Sequence, residues 1–366
     1  MKIQHALKFG MIFAAIQAVN PYCNAQGTFE IIYGQAFSVD GMSDDGGTII
    51  GSTYYDEGWV WREGIGRIEL PTPSGYAIGQ ARAISADGQY VAVRAANIGG
   101  PGRQALRYNV QTGTYEYGGL WNGTNSVDTW GMSADGQTLA VDIISGGVLS
   151  PGRWRVGSPM EIVHQNQNLE LTFTFAISNT GELAGAKFIG TSRRAFYYSD
   201  NAGFQFLENP YAGSNSQAMA MTPDGHIVIG SAAGRAVAWI NGTPSVLNTI
   251  DGISSMSAGA ISADGSVIGG GQTQASAANI AWIWTMETGA IRLSDFLAAR
   301  GFTNIPELNS VAAISSDKRI IVGRAGNNTY RVVFDSPIAT ITIPSPSTTV
   351  LFTFGVFAVP LRKRRR

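Results

Sequence analysis

A short turn phrase recurs seven times along the chain, at intervals of roughly 45 residues. Each copy has Met or Ile, then Ser or Thr, then a turn that ends in Gly in six of the seven copies. The copies are residues 42–46, 84–88, 132–136, 177–181, 221–225, 261–265 and 314–318. A fixed period of this size means that one supersecondary unit is used repeatedly, and that no copy can bury its apolar face alone.

The phrase predicts a hairpin in every unit. Ser or Thr at the first turn position, Asp at the third and Gly at the fourth fit a type I turn followed by a left-handed residue. A Val- and Ile-rich strand follows each turn, and a third strand carries one aromatic ring at a fixed station. These rings are Trp61, Tyr108, Trp154, Tyr198, Trp239, Trp284 and Phe334. With a fourth short strand, the unit has the size of a propeller blade.

The two ends of the repeat region predict a closed ring. Residues 29–33 match the fourth strand of the other copies, whereas the seventh copy runs out after its third strand at Phe334. An N-terminal strand that completes the last blade would remove exposed sheet edges. The sequence therefore predicts an all-β fold, a single seven-bladed β-propeller over residues 27–335.

The charge distribution disfavours nucleic acid as a partner. Five of the 25 basic residues occupy positions 362–366 and two more are Lys2 and Lys8, which leaves 18 basic against 26 acidic residues in between. An acidic body binds polyanions poorly, because Lys and Arg supply most of the affinity for phosphates.

Residues 1–25 have the layout of a secretory signal peptide. Basic Lys2 and Lys8 precede an apolar stretch at 11–16, and small residues lead to a cleavage site after Ala25. Cleavage there would remove the only cysteine, Cys23, so the mature chain would have no disulfide. Lipoprotein anchoring is the alternative, but residues 20–22 do not fit a lipobox.

The other end is a Pro/Ser/Thr linker at 336–347, followed by an apolar and then basic segment at 348–366. A helix of about 14 apolar residues would rise about 21 Å, short of a hydrocarbon core of about 30 Å. A marginal membrane anchor is one interpretation. The layout also resembles the PEP-CTERM sorting signal of Gram-negative bacteria, with its Pro-x-Pro box, short hydrophobic helix and basic end. The matching residues are Pro344, Pro346, Arg362, Lys363, Arg364, Arg365 and Arg366.

That resemblance implies a partner and a destination. An exosortase-type enzyme would cut near the box, and the protein would pass the inner membrane to the cell surface or the medium. Ser345 stands where the family usually has Glu. The body is similar to the bacterial extracellular HAF-repeat family, whose members are predicted to be secreted and propeller-like. This resemblance is based on the phrase Ala-Ile-Ser-x-Asp-Gly, which alternates with Ala-x-x-Trp along the chain.

Motifs for metal, cofactor or nucleophilic chemistry are missing from the sequence. It contains no His-x-Glu-x-x-His, Cys-x-x-Cys, Gly-x-Ser-x-Gly or phosphate loop. The recurrent Asp residues could be calcium ligands or catalytic carboxylates, but Asp in such turns usually bonds its local backbone. We therefore predict no catalytic, cofactor-binding or metal-binding residues.

Aromatic residues remain as candidates for a ligand site. The recurrent rings serve the contact between copies, whereas Trp121 and Trp130 fall outside the repeat and could stack on a sugar. The alternative is that both pack over blade edges.

Three functions stay open from the sequence alone. The leading hypothesis is an exported, non-enzymatic propeller that binds extracellular polysaccharide or a surface protein. The second is a propeller-type glycoside hydrolase or lyase, which two carboxylates and an Arg converging at the central channel would favour. The third is a structural envelope component that contacts only copies of itself.

Overall fold

The computed structural model describes residues 26–34, 36–97, 102–119, 121, 126–167, 170–272 and 280–338. Within these ranges it has 28 β-strands and one short helix, α1 (Leu293–Ala298). The predicted signal cleavage site at Ala25 lies outside the described residues, as do Pro344, Pro346 and the basic residues 362–366.

Strand β1 (Gly27–Gly34) precedes five antiparallel four-stranded sheets, each built from consecutive strands. The first sheet contains β2 (Ala36–Met42), β3 (Thr48–Thr53), β4 (Gly58–Arg62) and β5 (Gly66–Glu69). The second contains β6 (Tyr76–Ile84), β7 (Tyr90–Asn97), β8 (Arg103–Asn109) and β9 (Thr114–Tyr117). The third contains β10 (Ser126–Met132), β11 (Thr138–Ser145), β12 (Val148–Arg155) and β13 (Glu161–Ile162).

The fourth and fifth sheets repeat this arrangement. The fourth contains β14 (Thr172–Ile177), β15 (Leu183–Ile189), β16 (Ser192–Ser199) and β17 (Gly203–Phe206). The fifth contains β18 (Ser216–Met221), β19 (Ile227–Ala232), β20 (Arg235–Ile240) and β21 (Thr243–Val246). These five sheets are the separate blades of a β-propeller.

The remaining strands form one eight-stranded sheet, so the propeller has five separate blades and the expectation of a seven-bladed propeller is wrong. Its members after the fifth blade are β22 (Met256–Ile261), β23 (Val267–Gln272), β24 (Trp282–Thr285), β25 (Gly289–Arg292), β26 (Ser310–Ile314), β27 (Ile320–Ala325) and β28 (Asn328–Phe334). The eighth member is β1, which pairs with β28.

A glycine makes this merger possible. Strand β23 pairs with β26 through Gly271 and Ser310. A Cβ at Gly271 would lie 3.0 Å from the Asn309 carbonyl oxygen and 3.2 Å from the Ser310 Cβ, too close for a comfortable contact. Without a side chain, the two backbones can approach and exchange ladder hydrogen bonds, which a count of repeats cannot reveal.

The N-terminal strand pairs with the last strand, as the sequence predicts. Strand β1 runs antiparallel to β28, with Gly27 opposite Phe334. The Phe29 ring stacks on Tyr330 with their centroids 5.8 Å apart, and Arg331 Nη1 lies 2.8 Å from Glu30 Oε1. The first and last segments of the described chain therefore hold each other, which leaves no open gap in the ring.

The first strands of the repeats surround the central axis. Strands β2, β6, β10, β14, β18, β22 and β26 contact one another in this order, and β26 contacts β2 again. These seven strands are called the inner strands below. Hydrophobic clusters fill the spaces between neighbouring sheets, so each sheet buries its faces against the next.

Helix α1 is the single helix of the described ranges, so no C-terminal sorting helix is found among them. The segment for which it was predicted, residues 348–366, lies outside the described residues. Helix α1 is not long and apolar enough to span a bilayer, and the described part of the chain has no other helix.

Each turn phrase is held by its own side chains. In the first copy, Ser43 Oγ donates to Asp45 Oδ1 at 2.6 Å, and the Thr48 backbone N–H donates to Ser43 Oγ at 2.9 Å. The same Ser or Thr to Asp bond recurs in five other copies, at 2.5 to 2.7 Å. The prediction that these Asp residues form turns is therefore confirmed.

The turns also connect neighbouring repeats. The Asp44 backbone N–H donates to the Ala86 carbonyl at 2.8 Å, and the Ala86 N–H donates to the Ala134 carbonyl at 2.7 Å. The Asn179 N–H makes the corresponding bond to the Pro223 carbonyl at 2.8 Å. All turn phrases therefore lie on one face of the ring, which we call the turn face.

The recurrent aromatic rings pack between sheets, as predicted, at the two sites with the clearest contacts. The Trp239 indole N–H donates to the Glu208 carbonyl of the preceding blade at 2.7 Å. Trp154 lies against Gly118 of the preceding blade, where a Cβ would approach the indole to 2.9 Å. These rings therefore belong to the interfaces between sheets.

We expect Gly46→Ala to destabilise the protein more than Gly64→Ala. Both glycines have positive φ, 68° and 74°, so either alanine costs about 1 kcal/mol in backbone strain. A Cβ at Gly46 would also lie 2.2 Å from Ile320 Cδ1, whereas one at Gly64 would meet no atom within 4 Å. Overpacking adds about 1–3 kcal/mol at Gly46 alone. Urea unfolding of both variants measures the difference, and equal losses would contradict this account.

Candidate functional site

Every inner strand carries a β-bulge near its end. In β2, for example, Val39 pairs with Gly51 and Gly41 pairs with Ile50, which leaves Asp40 as the extra residue. The corresponding bulged residues are Asp40, Arg82, Trp130, Phe175, Met219, Gly259 and Ala312. A bulge locally bends a strand and re-aims a side chain. We call these residues the bulge ring; all of them are partly exposed, and they lie on the strands that surround the axis.

The bulge ring has different residue types on its two sides. Four consecutive members are charged or aromatic, namely Asp40, Arg82, Trp130 and Phe175, and we call them the polar-aromatic sector. The other three are Met219, Gly259 and Ala312. An ideal Cβ on Gly259 would meet no heavy atom within 4 Å, so there is open space on that side. The central channel, which the inner strands surround, therefore has charged and aromatic side chains on one wall and open space beside Gly259 on the other.

Direct contacts join three members of the polar-aromatic sector. The Arg82 guanidinium carbon lies 4.8 Å from the Trp130 ring centroid, a distance typical of a cation–π contact. Trp130 meets Phe175 edge to face at 5.7 Å, and Phe173 in the same way at 6.3 Å. The Trp130 indole N–H is buried and interacts with the carboxyl group of Asp142, so the ring, not the N–H, is what Trp130 contributes to this wall.

Asp128 lies two residues before Trp130 and is neutralised by two arginines. Arg94 Nε donates to Asp128 Oδ1 at 2.8 Å, and Arg103 Nη1 donates to Asp128 Oδ2 at 2.9 Å. The Asp128 residue is 5% exposed. Charge-assisted bonds of this length compensate for burying the carboxylate, so Asp128 is a fixed structural anion beneath the bulge ring.

Asp142, opposite Asp128 on the neighbouring strand, is in a different state. It is fully buried, and its carboxylate accepts a bond from the Thr174 backbone N–H at 3.1 Å. Burial raises its pKa well above the usual value, although its bonds to Thr174 oppose the shift and the charge of Asp128 adds to it. Asp142 therefore tends to keep its proton, which avoids two adjacent negative charges.

Asp40 has the most distinctive electrostatics in the bulge ring. Ser38 Oγ donates to Asp40 Oδ2 at 2.6 Å. Burial raises the pKa of Asp40 to about 6, although the Ser38 bond and the positive charges of Arg82 and Arg324 partly oppose the shift. Burial also lowers the pKa of Arg82, against the attraction of Asp40. A carboxyl group that titrates near neutral pH can exchange protons with a bound molecule.

A small pocket opens beside this wall, away from the turn face. It has a volume of about 90 Å³ and is lined by Asp56, Gln80, Arg94, Ala96 and Arg103. Asp56 belongs to the β3–β4 connection, at the opposite end of the strands from the turn phrases. A larger cavity of about 390 Å³ lies at the turn face between the fourth and fifth blades, and includes Tyr197, Glu208 and His226. Neither cavity is lined by a residue of the bulge ring, and we place the candidate site at the channel because of the contacts among the bulge-ring side chains themselves.

The two tryptophans singled out from the sequence occupy different environments. Trp130 belongs to the polar-aromatic sector. Trp121 is half-buried against the cluster that contains Trp154 and Met160, and so covers the edge between two blades. No ring contact connects Trp121 with Trp130 among the described residues. The structure therefore does not bring the predicted pair together.

Asp40, Arg82 and Asp128 escaped the sequence analysis, although a signal for the first two is present. Each bulged residue stands two positions before the Met or Ile of a turn phrase and is followed by Gly or Ala. Because this position varies in chemistry while its neighbours repeat, it marks the residue that the repeat does not need for folding. Comparison of the copies at this position would have found the bulge ring.

Residues that could hold a metal ion do not cluster. The described ranges contain no group of three or more His, Cys, Asp or Glu side chains in a metal-binding arrangement. His164 instead stacks on Phe204, with centroids 4.1 Å apart, and its Nε2 lies 3.3 Å from Lys187 Nζ. Burial and the Lys187 charge lower the pKa of His164.

Comparison with known proteins identifies the fold but no family. No protein-family model and no curated protein sequence matches this chain. The Swd1 β-propeller domain of Myceliophteria thermophila superposes with a TM-score of 0.55 at 12% identity, covering 83% of this chain and 99% of that domain. An oligogalacturonate lyase in complex with manganese superposes with a TM-score of 0.54 at 11% identity, covering 85% and 98%.

A prolyl endopeptidase gives a TM-score of 0.55 at 12% identity, and this chain spans 51% of its length. At such identities the likeness extends to the fold alone. The chain is a β-propeller protein, and its chemistry must be inferred from its own residues.

We expect Asp40→Asn to stabilise the protein increasingly as the pH rises from 4 to 7. The pKa of Asp40 is raised from 3.8 to about 6 in the folded state, so ionising it across this window costs wild-type stability that the Asn variant keeps. A pKa difference from 3.8 to about 6 corresponds to about 3 kcal/mol of unfolding free energy as an upper value. Urea unfolding at several pH values measures the difference. Asp251→Asn, at an exposed turn, is the control, and a pH-independent difference for Asp40→Asn would contradict the raised pKa.

Proposed function

We propose that this protein binds polysaccharide, and that a saccharide segment sits in the central channel against the polar-aromatic sector. The observation that carries the proposal is the lopsided bulge ring, which concentrates Asp40, Arg82, Trp130 and Phe175 on one wall and leaves open space at Gly259. Binding sites in proteins are typically concave, with a few convergent polar groups among apolar and aromatic ones.

The residue types on this wall suit a sugar. A pyranose presents an apolar C–H face and a rim of hydroxyl groups, and the aromatic rings of Trp130 and Phe175 offer apolar surface next to planar hydrogen-bonding groups. The Asp40 carboxyl group and the Arg82 guanidinium supply an acceptor and donors for hydroxyl groups. A flat protein partner would fit this recess less well than a narrow saccharide chain.

One structurally similar propeller is by name a lyase of oligogalacturonate. This shows that a propeller of this size can serve a saccharide, but 11% identity transfers no residue to the present chain. The proposal therefore depends on the channel residues described above.

A second candidate function is a glycoside hydrolase or lyase. It is favoured by the convergence of Asp40 and Asp128 around Arg82, together with the raised pKa of Asp40, which suits a general acid. Asp128 already accepts bonds from Arg94 and Arg103, which leaves it less available as a base or nucleophile. Binding without cleavage is therefore the leading proposal, and shortening of the saccharide during incubation would favour the enzyme.

We further propose that the protein is exported and reaches the cell surface or the medium of a Gram-negative bacterium. The signal-like residues 1–25 and the sorting-like box at Pro344 and Pro346 support this proposal, as does the resemblance of the body to HAF-repeat proteins. An exosortase-type enzyme would then be a partner during sorting. No cofactor is required for binding of this kind.

We expect Trp130→Ala to weaken polysaccharide binding at least tenfold, and Trp121→Ala to leave it within twofold. Trp130 lies in the channel wall, whereas Trp121 covers a blade edge outside it. Loss of the contact between the indole ring and a sugar costs roughly 1–3 kcal/mol. Isothermal titration with purified exopolysaccharide, polygalacturonate, alginate and a neutral glucan measures the affinities.

Thermal unfolding of both variants controls for folding, since each tryptophan packs against neighbours. Equal affinity of the wild type and Trp130→Ala would place the ligand elsewhere. Failure of the wild type to bind any of the four polymers would contradict the proposed function.

We expect the exported product to begin at Gln26 and to end near Pro346. Cleavage after Ala25 and processing at the Pro-x-Pro box produce these ends. Mass spectrometry of protein purified from the cell surface and the medium measures both termini. A product that retains residues 1–25 would contradict export, and one that retains Arg366 would contradict sorting.

A further inference from the structure

We propose that the saccharide is acidic, and that Arg82, with Arg324 beside it, binds a carboxylate of a uronate residue in the central channel. This inference rests on the proposed function and narrows it to one class of polysaccharide. Its basis is two guanidinium groups near Asp40, those of Arg82 in the bulge ring and Arg324 on β27, which have no ion-pair partner among the described residues.

Arg82 has no carboxylate oxygen of the described residues within 4 Å of its guanidinium nitrogens. Its one hydrogen bond goes from Nη2 to the Gln80 amide oxygen, and its buried Nε has no partner. A guanidinium group has five N–H donors in a fixed fork that matches a carboxylate. Most of the donors of Arg82 therefore remain available next to the open channel.

Arg324 repeats the pattern on the other side of Asp40. Its Nη2 donates to the Gly326 carbonyl at 3.0 Å, while its buried Nε has no partner in the described part of the chain. Asp40 attracts both arginines through space but bonds to Ser38. Two cations thus share one carboxyl group, which leaves the wall with an excess of positive charge.

More deeply buried arginines of the propeller have ion-pair partners, whereas the half-buried Arg82 and Arg324 do not have one within the described ranges. Arg94, Arg107, Arg153 and Arg331 each lie within 3 Å of a carboxylate oxygen, belonging to Asp128, Glu116, Asp200 and Glu30 respectively. Ion pairing is the usual solution for a buried cation, because an unpaired charge is costly to desolvate. Arg82 and Arg324 depart from this rule at the channel, where a ligand can supply the missing anion.

The acidic body of the protein does not oppose this assignment. Interactions between exposed charges are largely screened beyond about 8 Å at physiological ionic strength. A uronate inside the channel is therefore governed by the nearest groups. Arg94 and Arg103 already compensate Asp128, and burial raises the pKa of Asp142 and so favours its neutral form. The groups left to act on a ligand carboxylate are Arg82, Arg324 and Asp40, with Asp56, whose charge also reaches Arg82, behind them.

The test compares one polymer with and without its carboxylates. Oligogalacturonate and its carboxyl-reduced form, which has the same linkages and ring stereochemistry, are titrated into the full-length mature protein. Oligomers of alginate and their carboxyl-reduced form are titrated in the same way. The variants are Arg82→Gln, Arg82→Lys and Arg324→Gln. Arg319→Gln, which removes one positive charge next to a turn phrase outside the channel, is the matched control.

For at least one of the two polymers, we expect the wild type and Arg319→Gln to bind the acidic form at least tenfold more tightly than the reduced form. Arg82→Gln should reduce this preference to less than threefold, because it weakens binding of the acidic form much more than binding of the reduced form. Arg82→Lys, which keeps the charge but loses the fork, should fall between them, and Arg324→Gln should lose a smaller part of the preference. A carboxylate that pairs with a partly buried guanidinium group accounts for an effect of this size.

Two other outcomes separate this inference from the proposed function. Equal binding of acidic and reduced forms by the wild type would overturn the uronate assignment, while polysaccharide binding would stand. A preference for the acidic forms that persists in Arg82→Gln would overturn the role of Arg82. Absence of binding to both forms, and to the neutral and native polymers, would overturn the proposed function and this inference together.

Discussion

The hydrogen bond from the Ser or Thr of a turn phrase to a nearby carboxylate is the interaction on which the rest of the propeller depends; the acceptor is Asp in six phrases and Glu182 in the fourth. Ser43 Oγ donates to Asp45 and accepts from the Thr48 backbone N–H, so one side chain fixes both ends of the turn. This sets the register of the inner strand against its neighbour. Because the register is the same in every repeat, the bulge falls at the same distance from the turn each time, two residues before the phrase.

Because the register repeats, the backbone of the channel wall has the same geometry in every repeat, whereas the side chain at the bulge differs between repeats. Residues that repeat, such as the turn Ser and the wedge aromatic at Trp239, serve contacts between sheets. The bulged residue is not needed for contacts between sheets. Residues as different as Asp40, Trp130 and Gly259 can therefore occupy equivalent positions. The site is thus built from the position that the fold constrains least.

Much of the fold follows from the sequence, for reasons that are local. The turn residues specify hairpins, and the incomplete last repeat specifies pairing of β1 with β28. The prediction of a seven-bladed propeller is wrong, because the contact of Gly271 with Ser310 joins the last two sets of strands into one sheet. Such a contact depends on how closely two backbones approach after folding, and the sequence pattern carries no measure of that distance.

The site was less accessible to prediction than the fold. Trp130 stood out from the sequence because it breaks the repeat, yet Trp121 breaks it as well and covers a blade edge. What distinguishes them is the bulge that turns Trp130 toward the axis, and a bulge is a property of strand pairing. Arg82 and Asp40 come from separate repeats, 42 positions apart in the chain. Packing of the inner strands β2 and β6 of consecutive blades brings them together.

The channel wall also shows how binding capacity and stability oppose each other. Burial raises the pKa of Asp40 to about 6, which means that its ionised form destabilises the folded state near neutral pH. Arg82 and Arg324 lack the ion pairs that Arg107 and Arg153 have, so their burial is also poorly compensated. A propeller with extensive packing between sheets can tolerate these local costs. A ligand carboxylate would relieve them, so binding and folding stability are linked at this wall.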